Sequence, residues 1–162
     1  MRTESLPRDL RIGILEVGSR AVRLMVADFS SSVTFKAVRT ASHNHGIEIS
    51  TVTRADIVAL SLIIDAYRAE LIANGCDRIL IYGTAMCRQM PTDLRAALPS
   101  YLEVLTPEKE ALGSWAAGIM SVPDLSVEGH FVVIDQGDGS TEIVTATWSG
   151  HTACDLRADS IP

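Results

Sequence analysis

The sequence predicts an α/β layer fold built on a mixed sheet. Three extended segments open the chain, helical and extended segments then alternate, and the later extended segments are short and apolar, as strands covered by helices are. With 162 residues, 47% of them hydrophobic and 21% charged, the chain is long enough to bury a real core.

Residues 11–29, "RIGILEVGSRAVRLMVADF", alternate apolar and small residues around Gly18-Ser19, the pattern of a hairpin. "SVTFKAVRTA" (32–41) supplies a third strand, and "HNHGIEIS" (43–50) reads as a loop. Thr53 followed three residues on by Asp56 forms a capping box, with Asp in place of the usual Glu. Behind it Ile57, Leu60, Ile64 and Leu71 recur at helical spacing, Tyr67 shares their face, and Gly75 is the stop. "RILIYG" (78–83) is a buried strand. A helical segment from Thr84 is interrupted at Pro91, which can open a second helical piece ending near Leu98. "YLEVLT" (101–106) is a strand, and Thr106-Pro107 caps and starts the next helix. That helix fades in "GIMSVPDLSVEG" (118–129), the best linker candidate in the chain. "HFVVID" (130–135) and "TEIVTATWS" (141–149) are paired strands, and "HTACDL" (151–156) is a third.

A net charge of −6 argues against a surface that attracts DNA or membrane, leaving a polyanion only a locally basic pocket. No apolar run approaches the ~20 residues needed to cross a bilayer. The N-terminal "MRTESLPRDLR" has no signal-type apolar core, so a cytoplasmic location is expected. Cys76, Cys87 and Cys154 are odd in number and share no metal spacing, which fits reduced structural thiols. His43 and His45 read as solvated loop residues, and Trp115 and Trp148 as packing residues.

One repeat stands out. "IGILEVG" (12–18) and "FVVIDQG" (131–137) share an apolar strand, an acid, one residue and a glycine, after which small or hydroxyl residues turn the chain into a returning strand. Two ordinary hairpins could share such turns. Alternatively, the turn amides converge on an anion that glycine allows to come close. Glu16 and Asp135 would repel bare phosphate, and make sense if a divalent cation, typically magnesium, bridges them to it.

In order and spacing, "EVGSRAVRL", "GTAMCRQ", "EKEALGSWAAGI" and "VVIDQGDGSTEIV" resemble the signatures of the exopolyphosphatase and guanosine pentaphosphate phosphohydrolase family, from residue 11 to about 147. That family lies within the superfamily of sugar kinases, actin and heat-shock chaperones. The resemblance implies a ribonuclease H-like (actin-like ATPase) domain over 1–120, a linker over 121–129, and the first strands of a second, incomplete domain over 130–162, since relatives continue well past the glycine loop.

It also implies hydrolysis of terminal phosphoanhydride bonds of polyphosphate or guanosine pentaphosphate, with magnesium, in a cleft between two domains. Glu110, before Ala111, matches the family's catalytic glutamate, which would orient and deprotonate water. A favourable interaction with a helix N-terminus is the other reading of that residue. Arg88 matches an arginine near the phosphates, and could equally be a solvated helix arginine. Gly137, Gly139, Ser140 and Thr141 match the phosphate loop, and Gly18 and Ser19 the opposing one. Glu16, Asp135 and Glu142 take the places of the family's acids, here the metal candidates.

There are departures. Glu16 replaces Asp, Arg20 replaces Asn and could favour anions, Asp138 interrupts a triple glycine, Leu112 replaces Arg, and Pro107 replaces Gly. Asp138 puts a carboxylate and a Cβ where backbone should meet phosphate. It motivates the alternative of a non-catalytic, nucleotide-binding regulator, a kinase of the same superfamily being a third reading. The expected partner is polyphosphate or a phosphorylated guanine nucleotide, and a homodimer is compatible with the sequence.

Overall fold

A computed structural model describes residues 10–30, 35–122, 128–149 and 152–161. β1 (Leu10–Val17) and β2 (Ala21–Phe29) form the expected hairpin about Gly18-Ser19-Arg20. β3 (Phe35–Asn44) pairs antiparallel with β2 and runs on past Ala41, so His43 belongs to a strand. The expected beginning of that strand, 32–34, lies outside the described residues.

α1 (Arg54–Ala73) starts where its capping box places it. The Asp56 amide donates to Thr53 Oγ1 at 3.3 Å, and the Thr53 amide donates to Asp56 Oδ2 at 2.8 Å. Ile57, Leu60, Ile64 and Leu71 are buried, each worth roughly 1.5–3 kcal/mol of apolar transfer. The chain leaves the helix through Gly75, whose φ of +69° a side chain would resist.

β4 (Arg78–Gly83) lies parallel to β1, with α1 as the crossover. Two short helical pieces, α2 (Ala85–Gln89) and α3 (Thr92–Arg95), flank Pro91. β5 is only Glu103–Val104, shorter than the expected 101–106. Tyr101 is taken up by a hydroxyl bond to Asp65, and the Leu102 amide turns back to the Pro99 carbonyl.

The sheet order is β3-β2-β1-β4-β5, antiparallel among the first three strands and parallel thereafter. This mixed five-stranded arrangement is the ribonuclease H-like layer the resemblance implied. α4 (Pro107–Met120) follows, with Lys109 N donating to the Thr106 cap at 3.3 Å.

β6 (Gly129–Gln136), β7 (Thr141–Trp148) and β8 (Ala153–Ile161) make a second, antiparallel sheet. β8 continues beyond the expected 151–156 after a register shift opposite Thr145–Thr147.

Two apolar clusters hold the chain. One lies between α1 and β1, β2 and β4. The other joins Ala111, Trp115 and Ile119 of α4 to Val144 and Ala146 of β7. By packing, α4 therefore goes with the second sheet, although the sequence reading placed it ahead of the 121–129 linker. Its apolar residues recur every four positions and form one stripe. Gly118 allows the contact, because a Cβ there would stand 2.9 Å from both γ-methyls of Val133. Of the linker itself, 123–127 lie outside the described residues. Among the described residues no helix is long and apolar enough to cross a membrane.

Candidate phosphate-binding cavity

The β1–β2 and β6–β7 turns are built alike. In the first, the Gly18 amide donates to the Ala21 carbonyl at 3.0 Å; in the second, the Gly137 amide donates to the Ser140 carbonyl at 2.9 Å. Each bond closes a turn two residues after an acid, Glu16 or Asp135. The Gly18 and Gly137 amides are therefore used within their own turns. Among the described residues no backbone carbonyl takes the amides of Ser19, Arg20, Asp138 and Gly139.

The two turns face each other across a polar cavity of about 220 Å³. A Cβ on Gly139 would overlap the Ser19 hydroxyl and lie 3.1 Å from the Ala85 Cβ, so only glycine permits this approach. Gln89 Nε2 donates to the Gly139 carbonyl at 3.3 Å, tying α2 to the second turn.

Eleven of the residues singled out from the sequence line this one cavity: Glu16, Gly18, Ser19, Arg20 and Glu110, with Asp135, Gly137, Asp138, Gly139, Ser140 and Glu142. Thr141 does not line it. Arg88 does not either, and reaches it through an ion pair with Glu110. The same guanidinium Nη1 donates to the Leu105 carbonyl at 3.1 Å, which fixes its position. Burial raises the Glu110 carboxyl above its ordinary pKa. Arg88 opposes that rise, and the charges of Glu142 and Glu16 add to it. A carboxylate held closer to neutrality is better suited to exchange a proton.

The other acids are engaged in different ways. Glu16 Oε2 lies 3.3 Å from Arg23 Nη1, its cross-strand partner. Asp135 accepts from Ser114 Oγ at 2.6 Å. Glu142, only 3% exposed, accepts from Ser140 Oγ at 2.7 Å and Ser160 Oγ at 3.0 Å.

Among the described residues no cluster of three or more His, Cys, Asp or Glu side chains is gathered as a ready metal site. Magnesium takes hard oxygen donors, commonly one or two carboxylates with the rest from water and phosphate. Glu16, Asp135 and Glu142 all line the cavity and offer such donors, the two hydroxyl bonds to Glu142 both falling on Oε1.

Sequence reasoning missed Arg23, Thr84, Ala85 and Gln136, which also line the cavity. Arg23 could have been found as the residue opposite Glu16 in the hairpin. Thr84 carried no signal beyond its place before a short helix; its hydroxyl and amide both donate to the Val17 carbonyl, at 3.3 and 3.1 Å. His45, expected to be solvated, is half-buried, with Nε2 3.1 Å from the Gly18 carbonyl. Asp138 pairs with Arg20 at 3.1 Å, so two departures from the family pattern meet across the turns.

No protein-family model and no curated protein matches the chain. Among solved structures it is similar to a Ppx/GppA family member from Aquifex aeolicus, at 20% identity and a TM-score of 0.75 over 94% of this chain and 52% of that one. A second structure of the Aquifex aeolicus PPX-GPPA enzyme gives 19% identity and a TM-score of 0.76, over 93% and 52%. An exopolyphosphatase from Cytophaga hutchinsonii gives 16% and 0.72, over 92% and 50%. The chain thus spans about half the length of each of these proteins. It has the fold of an N-terminal domain of the Ppx/GppA proteins.

Proposed function

We propose that this chain carries the phosphate-binding and water-activating half of a magnesium-dependent phosphoanhydride hydrolase acting on polyphosphate or guanosine pentaphosphate. One observation carries the reading. Two turns of the same construction meet across a single polar cavity, and Glu110 opens onto it between them. Exopolyphosphatase activity among proteins of the same fold supports it.

In this reading the Ser19, Arg20, Asp138 and Gly139 amides hold the terminal phosphate. Glu110 orients the attacking water and accepts its proton, a role worth about 10²–10⁴ in rate. Arg88 keeps the Glu110 carboxylate aimed and lends positive charge to the cavity rim. Glu16 and Asp135 would hold magnesium, which when bound neutralises phosphate charge as it is transferred. The free thiols Cys76, Cys87 and Cys154 accord with a reducing, cytoplasmic setting.

The test is phosphate release from polyphosphate and from guanosine pentaphosphate by the whole protein and its Glu110→Gln variant. Turnover falling at least about 100-fold with ligand binding retained supports the role; unchanged turnover removes Glu110 from the chemistry. The Arg20–Asp138 pair favours a second reading, a nucleotide-binding regulator without turnover. Saturable binding to the wild-type protein with no phosphate release selects it.

A further inference from the structure

α1 is apolar on both of its sides. Ile57, Leu60, Ile64 and Leu71 face the core, yet the opposite pole of the helix carries Ala55, Ala59, Leu62, Ala66, Ala69 and Ala73, every one exposed. Beside them Val58 and Ile72 are 59% and 54% exposed, and Leu62 itself is 65% exposed. A helix on a protein surface ordinarily turns charged residues outward, and one that is apolar all round belongs in an interior. We propose that this face of α1 packs against the same face of a second copy of the chain, with the two helices antiparallel.

The spacing of the stripe favours that partner. From Ala55 to Ala73 its steps alternate between four and three residues and read the same from either end. An antiparallel copy therefore presents the same steps in return. It sets Ala55 opposite Ala73, Ala59 opposite Ala69, and each Leu62 over an Ala66, so that large meets small at the centre. A parallel pair would instead set Leu62 against Leu62. The small side chains let the two backbones come close, while Val58 and Ile72 close one flank of the contact. A two-fold pair of this kind is complete in itself and does not grow into a filament.

The charges around the stripe do not oppose the contact. Asp56 serves the helix cap, Asp65 accepts from the Tyr101 hydroxyl, and Glu70 pairs with Arg39. The Arg68 guanidinium lies 4.9 Å from the centre of the Tyr101 ring. These groups form a polar rim already partnered within its own protomer, so a second copy strands no charge. Arg54 remains, exposed at the end of the stripe, where it stays in water. At 20 residues α1 is about 30 Å long and, with side chains, about 10 Å across. Two such faces bury an area at the low end of specific interfaces, so the dimer is expected to dissociate at about 10 μM.

Sedimentation velocity on the whole protein from about 1 to about 200 μM tests the pairing, with circular dichroism melting as the check on folding. The wild type should pass from monomer to dimer across that range. Leu62→Glu places a good helix former at an exposed position, and should stay monomeric throughout with its melting temperature unchanged. Cross-linking tests the orientation in a Cys154→Ser background, which removes the exposed thiol. Under mild oxidation a mixture of the Ala59→Cys and Ala69→Cys proteins should form a disulfide-linked pair. Ala55→Cys should not link to itself, because antiparallel helices hold the two copies of that residue about 27 Å apart. A dimer indifferent to Leu62→Glu, or self-linking of Ala55→Cys, overturns the antiparallel α1 pair. A wild type still monomeric at the highest concentration also overturns it, and a lowered melting temperature of Leu62→Glu would then assign the face to cover from the same polypeptide.

Discussion

Replacing Gly139 with alanine tests the close approach of the two turns. The new methyl would overlap Ser19 Oγ and stand 3.1 Å from the Ala85 Cβ and 3.2 Å from the Ser19 Cβ. Rotation of the Ser19 hydroxyl relieves only the first contact. The other two involve short, stiff groups, so one turn must retreat by a few tenths of an ångström. Overpacking of this kind costs about 1–3 kcal/mol. Because the strain falls on the arrangement that binds phosphate, it should appear as an affinity for tripolyphosphate weakened about 5- to 150-fold. Calorimetry with magnesium reads this directly, with far-ultraviolet circular dichroism as the check on folding. Ser19→Gly removes the hydroxyl and its Cβ, so in the Gly139→Ala background it should return part of the loss, leaving the Ala85 contact. If Gly139→Ala binds like the wild type, or Ser19→Gly fails to rescue it, the two turns do not meet and the cavity is not one site.

Three further outcomes are expected. In Asp138→Gly the carboxylate beside the ligand amides is gone, so tripolyphosphate should bind about threefold tighter at low salt and the gain should shrink as salt screens it; equal or weaker binding contradicts that placement. Burial raises the folded-state pKa of Glu110, so its contribution to stability is complete below the ordinary glutamate value of about 4.3 and is lost as pH rises through the raised value. Glu110→Gln should accordingly melt at or above the wild type at pH 7, with the difference fading in acid, and a clear drop at pH 7 would contradict the buried-charge account. Gly118→Val forces at least one methylene into the Val133 side chain and should lower stability by about 1–3 kcal/mol in urea unfolding, while wild-type stability would separate α4 from β6.

Much of the fold was legible in local chemistry. The capping box and the periodic Ile57, Leu60, Ile64 and Leu71 located α1, because cap and stripe are short-range signals that agree. The partner of α4 was not legible. Ala111, Trp115 and Ile119 announce an apolar stripe without naming the sheet it covers, which their packing on Val144 and Ala146 and the approach of Gly118 to Val133 decide. β5 shrank to two residues because Tyr101 and Leu102 found partners away from the sheet edge. In the cavity, the repeated acid-and-glycine pattern was visible because both turns close with the same bond. His45 was missed for the converse reason. A polar loop residue looks solvated until the carbonyl it serves, Gly18, is brought to it by the hairpin.

Arg20 and Asp138 show why departures from a pattern should be weighed together. Taken singly, an aspartate in a phosphate loop opposes its ligand, and an arginine in place of asparagine only adds charge. They come from turns more than a hundred residues apart, yet they stand 3.1 Å from each other. Both side chains are well exposed, so the pair is worth little to stability, within about 1 kcal/mol for such contacts. Its consequence lies in binding. With Asp138 paired, only part of its charge is offset, and Arg20 lines the cavity. An arriving phosphate can offer Arg20 two oxygens in a fork, a stronger arrangement than the single contact it displaces. The aspartate that looked most damaging to a phosphate site thus competes with phosphate for the site's arginine, which is why its removal should tighten binding.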